Sequence, residues 1–380
     1  MRGQTPWWGL QVLSLAMWLA VQGCVSSPTA SEEMAQLRRL QPPSHASGFE
    51  WFETPKGVTV LVLRQPRTGE LLATVSVEVL PDGGEGWLNG EGVPHVTVDR
   101  SKGFVTTSTT HVHLLHAGAG LRGWKACTSL EYLRSEAVRN WADSTGVSDV
   151  RGDGGWNVEA LEEVSPGWMA VSPTHDLGER SWPLVPLTEY LEPTPLGRAE
   201  WMVPLAWLAG DSLAGARAFD KVRSKYEAVK VSGMGQIKRV FTGSVADGVW
   251  HAPGDDSFVA QWIRDAGGEY ALASTDDDEN VELGLESLLA LAHQADAWVV
   301  VTYDPDTFTV EDLVTLDPRH EALLSATDEV WVCNTARADY FGEVVPHPEW
   351  VLEDLKSMME GKDRGPHGLF DRLNVSHSKP

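Results

Sequence analysis

Two α/β lobes with parallel-rich sheets, joined by one long α-helix and separated by a cleft, are predicted by three observations. From Gly103 onward, short strand-like runs alternate with helix-like ones, the pattern of a mainly parallel sheet with helices on both faces. The alternation comes in two blocks of one plan, in which an acidic residue opens a helix that leads to a Trp-containing apolar strand. Val158-Glu159-Ala160-Leu161 precedes Trp168-Met169-Ala170-Val171, and Leu285-Glu286-Ser287-Leu288 precedes Trp298-Val299-Val300-Val301. Between the blocks, Asp211-Ser212 offers an N-cap, and Leu213, Ala216, Phe219, Val222 and Tyr226 recur at three- and four-residue spacing. No Gly or Pro follows Gly215 before Lys230, so this segment is expected to be a stiff rod joining two Rossmann-like lobes, an ordinary amphipathic helix packed on one domain being the alternative.

The chain opens with Met1-Arg2, an apolar run from Trp7 to Val21, and Gln22-Gly23-Cys24. A positive start, a run shorter than a membrane span and a small residue before a Cys describe an export signal. Val21-Gln22-Gly23-Cys24 resembles a bacterial lipobox, which implies cleavage before Cys24 and a lipid on it; an ordinary secretory signal with a nearby Cys is the alternative. The expected location is the cell envelope, at the periplasm or the outer face of a membrane. Val25 to Ser47, rich in Ser, Pro, Ala, Glu and Gln, is expected to be a flexible tether. Cys127 and Cys333 are far apart and lack a CxxC partner, so they read as small buried hydrophobes and not as a zinc site or disulfide framework.

Val58 to Leu63 and Leu71 to Val79 flank Pro66-Arg67-Thr68-Gly69 as a hairpin, followed by a glycine-rich loop from Asp82 to Gly92. In the first block, Gly103 to Thr107 reads as a strand, Thr110 to Ala117 as a helix stopped by Gly118, Val158 to Val164 as a helix and Trp168 to Ser172 as a strand. In the second, Arg239 to Thr242, Ala297 to Thr302 and Glu329 to Cys333 read as strands. Ser257 to Ala266, Gly284 to Gln294 and Trp350 to Met359 read as helices. The expected segments are signal 1–23, tether 24–47, N-terminal β extension 48–96, N-lobe 97–210, linking helix 211–230, C-lobe 231–360 and tail 361–380.

With 54 Asp plus Glu against 30 Lys plus Arg, the formal charge of −24 excludes a nucleic-acid partner, which needs clustered basic groups. Seventeen Trp against six Tyr and nine Phe is the unusual count. Trp168, Trp207, Trp262, Trp298 and Trp331 alternate with aliphatic residues and are expected in the core. Trp156, Trp182, Trp201 and Trp250 stand beside Gly or Pro loops or charge and are the candidates for a binding surface. His111, His113 and His116, at i, i+2 and i+5, do not share one helix face, so no metal site is expected there. There is no GxSxG elbow, HExxH helix or motif-placed pair of acids, and the chain is not expected to be an enzyme.

From about Thr97 to Met359 the chain resembles the substrate-binding proteins of ABC importers that have a helical backbone, the group handling iron chelates, haem and vitamin B12. The stretches carrying the likeness are Ser108-Thr109-Thr110-His111, Asn157-Val158-Glu159 leading to Ser165-Pro166, and Thr194-Pro195-Leu196-Gly197-Arg198-Ala199-Glu200-Trp201. Val249-Trp250-His251-Ala252-Pro253-Gly254 with Ser257-Phe258, Asp265-Ala266-Gly267-Gly268-Glu269-Tyr270, Ala295-Asp296-Ala297-Trp298 and Asp339-Tyr340-Phe341 complete it. The resemblance implies a monomeric, lipid-anchored receptor that needs no cofactor of its own. It would trap a metal chelate or corrinoid between the lobes and deliver it to a permease and its ATPase. It also implies one acid on the tip of each lobe, Glu159 and Glu286, docking on permease Arg residues. A ligand-sensing lipoprotein and a secreted α/β hydrolase are the alternatives.

Ligands of open α/β sheets bind beyond the carboxyl ends of the strands. That rule and the loop positions nominate Thr110, His111, Trp156, Trp182, Arg198 and Trp201 from the N-lobe. Trp250, His251, Asn334 and Arg337 are the nominees from the C-lobe.

Overall fold

The computed structural model describes residues 37–78, 93–153, 155–173, 182–230, 237–246, 249–272 and 280–375. The expected signal segment and Cys24 lie outside the described residues. An N-terminal sheet runs in spatial order β1 (Arg38–Arg39), β2 (Phe49–Glu53), β3 (Thr59–Arg64), β4 (Leu71–Ser76) and β5 (His95–Thr97). The predicted hairpin is its β3–β4 pair, antiparallel with Leu61 opposite Val75.

The N-lobe sheet is wholly parallel. It is built from β6 (Phe104–Thr106), β7 (Trp124–Cys127) and β8 (Ser148–Asp149), a small antiparallel pair β9 (Arg151–Gly152) and β10 (Gly155–Trp156) beside it, then β11 (Trp168–Val171) and β12 (Leu184–Pro186). Its spatial order is β12-β11-β6-β7-β8. Helices α1 (Thr109–Gly118), α2 (Glu136–Thr145) and α3 (Val158–Val164) connect the strands, and α4 (Pro195–Glu200) and α5 (Met202–Ala209) follow them.

The linking helix α6 (Ser212–Val229) has Asp211 as its N-cap, accepting from the Ala214 N–H at 3.1 Å. Its buried face is Gly215, Phe219, Val222 and Tyr226, the predicted stripe less its first members. Gly215 is required because a Cβ there would stand 2.5 Å from Ala206 Cβ on α5.

The C-lobe has β13 (Arg239–Thr242), β14 (Ser244–Ala246), β15 (Val249–Pro253), α7 (Phe258–Asp265), β16 (Glu269–Tyr270), β17 (Asn280–Leu283), α8 (Leu285–Ala292) and β18 (Ala297–Thr302). After them come α9 (Val310–Leu316), α10 (His320–Ala326), β19 (Glu329–Asn334), α11 (Pro348–Met359) and β20 (Asp371–Leu373). Its main sheet, in order β16-β13-β18-β19-β20, is parallel except for the last strand. A separate antiparallel sheet, β14-β15-β17, stands beside it.

Two expected boundaries are corrected. The tail from 361 is not outside the C-lobe, because β20 pairs with β19, Val330 lying opposite Leu373. The tether does not run to Ser47, because buried carboxylates hold its last residues. Glu200 accepts from the Ser44, His45 and Ala46 N–H groups at 2.7–2.8 Å and from Ser44 Oγ at 2.9 Å. Glu192 accepts from the Ser47 and Gly48 N–H groups, Ser47 Oγ and Trp201 Nε1. A side chain at Gly48 would collide with Trp201 at 2.6 Å, so the strand can enter its place only with glycine there. Cys127 and Cys333 are buried and free, and burial pushes the Cys333 thiol up to about 12.

Glu200→Ala strands three backbone donors of the Ser44–Ala46 segment. We expect it to lower stability by about 2–4 kcal/mol in chemical denaturation. Cleavage by added protease should then appear before Phe49 ahead of cleavage within either lobe.

Candidate ligand-binding cleft

A cavity of about 410 Å³ opens between the lobes at the carboxyl ends of the central strands. The N-lobe supplies the turn after β6, Thr107 to Thr109, and the segment after β7, with Thr128, Ser129, Tyr132 and Arg134. Arg151 on β9 completes that wall. The C-lobe supplies Tyr303 directly after β18, Thr335 after β19 and the turn Asp339 to Phe341. Both sheets therefore point their carboxyl ends at one space, as parallel α/β topology requires.

Its wall sets aromatic rings and two guanidinium groups among Ser and Thr hydroxyls and the Asp339 carboxylate. Tyr132, Tyr303 and Phe341 are 54%, 62% and 55% exposed, so each offers an apolar ring to a guest without being removed from the core. The Arg134 guanidinium lies 5.9 Å from the Tyr303 ring centre, across the gap between lobes. Arg151 sits 5.5 Å over Tyr132 and pairs with Glu131, whose carboxyl its hydrogen bond holds down at about 2. Rings flanked by cations suit a flat guest that carries anionic groups.

The lobes touch beside this space. Thr109 Oγ1 donates to the Phe341 carbonyl at 3.1 Å, and His113 Nε2 stands 3.2 Å from Asp339 Oδ2. The Arg198 guanidinium covers the Phe258 ring at 4.0 Å, joining α4 to α7.

The residues nominated from sequence lie elsewhere, and each displacement has a physical reason. Thr110 and His111 point below the cleft floor, where Thr110 Oγ1 donates to Glu189 Oε1 at 2.6 Å and His111 Nε2 lies 3.3 Å from the same oxygen. His111 and Glu189 are each 2% exposed, so this is an interior ion pair and not a rim. Trp182 is buried, and Trp156 half-buried, in a cluster with Val105, Leu161 and Met169 on one face of the N-lobe sheet. Trp201 is fully buried, its ring edge-on to Phe49 at 5.3 Å and its N–H on Glu192. Trp250 packs at 5.6 Å on Trp298 and at 6.1 Å on Phe241 and His320 in the C-lobe core. Alternation along β15 sends Trp250 inward and leaves His251 exposed, opposite Ser244 and Glu282. Asn334 caps the turn after β19, accepting from the Asp304 and Ala336 N–H groups. Arg337 donates to Thr307 Oγ1 at 2.9 Å. These two line a groove of about 1260 Å³ within the C-lobe. Arg198 is buried at the lobe contact already described. The cleft-wall residues Tyr132, Arg134, Arg151 and Tyr303 were not nominated. Tyr303 stands one residue beyond a correctly predicted strand, which was signal enough to find it.

Two expectations follow from these placements. Trp250→Ala should lose about 3–5 kcal/mol of stability by cavity formation, whereas exposed Tyr303→Ala should lose less than about 0.5 kcal/mol, both by denaturant titration. Burial alone would raise the Glu189 carboxyl, but the charge and hydrogen bond of His111 and the Thr110 hydroxyl outweigh it and hold it at about 2. A carboxyl depressed in the folded state contributes stability above its unfolded value, about 4.3, and loses it as pH falls toward 2. The wild-type melting temperature should therefore fall more steeply between about pH 4.5 and 2 than that of Glu189→Gln.

No family model matches the chain, and no curated protein matches it. Solved structures do match in fold. A periplasmic heme binding protein from Pseudomonas aeruginosa aligns with a TM-score of 0.54 at 13% identity, over 72% of this chain and 98% of that one. A periplasmic binding protein from Veillonella parvula aligns at 0.53 and 12%, over 68% and 91%. A periplasmic heme binding protein of Vibrio cholerae aligns at 0.52 and 14%, over 67% and 97%. With two parallel-rich lobes, one linking helix and a cleft at the carboxyl ends of both sheets, the chain has the fold of these periplasmic binding proteins.

Proposed function

We propose that the chain is a lipid-anchored substrate-binding receptor of an ABC importer, which captures a flat, anionic metal chelate of the haem class and hands it to a permease. The observation that carries this reading is the trio of exposed rings, Tyr132, Tyr303 and Phe341, set with Arg134 and Arg151 between lobes. A planar macrocycle would lie against the rings, and its carboxylates would meet the guanidinium groups. Two structures sharing this fold are named as heme-binding proteins, which favours haem over a ferric siderophore or a corrinoid. Capture of this kind needs no bond making, and no enzymatic role is proposed.

Delivery rests on the lobe tips. Glu159 and Glu286 are both exposed, each in the first turn of its helix, α3 and α8. There they are stabilised by the helix dipole and are available to basic partners. A liganded clamp would set their separation, so that the permease meets both acids only when cargo is held. Cys24 would carry the anchor that keeps the receptor near that permease.

The test begins with haemin titrated into the purified protein by absorption. Tyr303→Ala and Phe341→Ala should each weaken binding by roughly 2- to 10-fold, the equivalent of about 0.5–1.5 kcal/mol per ring. The double variant Glu159→Ala/Glu286→Ala should bind haemin as the wild type does and fail to support uptake by cells. Uptake retained in the double variant would reduce the two acids to helix-capping groups; a titration with no spectral change would remove haem as cargo.

A further inference from the structure

Behind the lobe contact, on the side away from the cleft, lies a second cavity of about 450 Å³. The same two segments build both spaces. Helix α1 gives Thr109 to the cleft and, one and two turns later, His113 and His116 to the rear cavity. The loop after β19 gives Phe341 to the cleft and Glu343 and His347 to the rear. The His113–Asp339 contact stands between them.

The third wall is α6, which contributes Arg217, Lys221 and Lys225 at i, i+4 and i+8, one face of a helix. In a chain where acids outnumber bases by 54 to 30, this concentration reverses the background. Lys225 is taken up by buried Glu349 at 3.2 Å, and His347 Nδ1 faces the same carboxylate oxygen at 3.5 Å. His113 faces Asp339. Arg217 and Lys221 have no ion pair among the described residues, and Glu343 is the one carboxylate lining the cavity. Two unpaired cations and the His116 imidazole thus confront a single unpaired acid. Burial chiefly, and the nearness of His113 and His347, hold His116 below its ordinary value, with Glu343 opposing. Among the described residues no three acid, thiol or imidazole groups converge as metal ligands, so a cation is not the guest this cavity suits.

We infer that the rear cavity is a binding site for a small multivalent oxyanion of the phosphate class. Arg217 and Lys221 supply charge-assisted donors from α6, and His116 and His347 supply imidazole N–H groups from the opposite walls. A bound dianion favours protonated His116, so the site takes up protons on binding and its affinity rises as pH falls. The anion is either free in solution or the headgroup of an acidic phospholipid.

Titration calorimetry on the lipid-free, full-length mature chain with inorganic pyrophosphate, and with sulfate, whose charge is constant across the range, tests the free form. Sedimentation with phosphatidic acid vesicles, whose phosphomonoester headgroup can carry two charges, tests the headgroup form. The expected result is binding to at least one probe, tighter at pH 6 than at pH 8 for sulfate. The double variant Arg217→Gln/Lys221→Gln, at two exposed positions, should weaken it at least about ten-fold with an unchanged melting temperature. Binding to soluble anions identifies a free ligand, and loss of vesicle binding alone in the variant identifies the lipid. No binding to any probe, or binding untouched by the double variant, overturns the site. Neither result depends on what the front cleft holds.

Discussion

Asp265 is a buried carboxylate at the end of α7, and the arrangement of the two lobes hangs on how it is satisfied. Tyr226 of the linking helix donates to it at 2.8 Å, Lys230 closes on its other oxygen at 3.0 Å, and Gln261 donates at 2.8 Å. Burial, with the Asp265 charge adding to it, pushes the Tyr226 hydroxyl well above its ordinary value, so it remains a donor throughout the working pH range. A buried ion with all its partners adds little net stability, but removing one partner is costly, so such a cluster fixes geometry more than it adds energy. On the opposite lobe, Gly215 lets α6 approach α5 at a distance no other residue permits. The helix is thereby anchored near both of its ends.

With the rod along the back, both parallel sheets turn their carboxyl ends to the front. The cleft is thus a consequence of topology, and its chemistry is decided by the residues that immediately follow the strands. Parallel strands are buried on both faces and read as continuous apolar runs, so functional side chains cannot lie within them. This is why the exposed rings of the cleft are Tyr132, Tyr303 and Phe341, in connections, while Trp168, Trp298 and Trp331 on the parallel strands are buried. The N-terminal sheet is held to the N-lobe by Glu192 and Glu200, two acids on or beside α4, and His45 packs edge-on to Phe219 of the linking helix at 6.0 Å. It buttresses the rod without approaching the cleft lining.

The cleft and the rear cavity share α1 and the loop from Asp339 to His347, divided by the His113–Asp339 contact.

Much of the architecture was legible in the sequence. The strands at Arg239–Thr242 and Ala297–Thr302 and the helix at Val158–Val164 came out as read, because long apolar runs and clear periods carry their own boundaries. The linking helix was legible from its N-cap and stripe. Strands of two or three residues, such as β1, β8 and β12, have no period to detect, and the sheet β14-β15-β17 forms only through pairing at a distance. The candidate site was legible only in outline. Sequence determined that two lobes would meet at strand ends, since alternation and hydrophobic runs are local properties. Only the tertiary structure decided which aromatics face solvent, because burial of Trp201 and Trp250 and exposure of Tyr303 depend on what packs against them from segments far away in the chain.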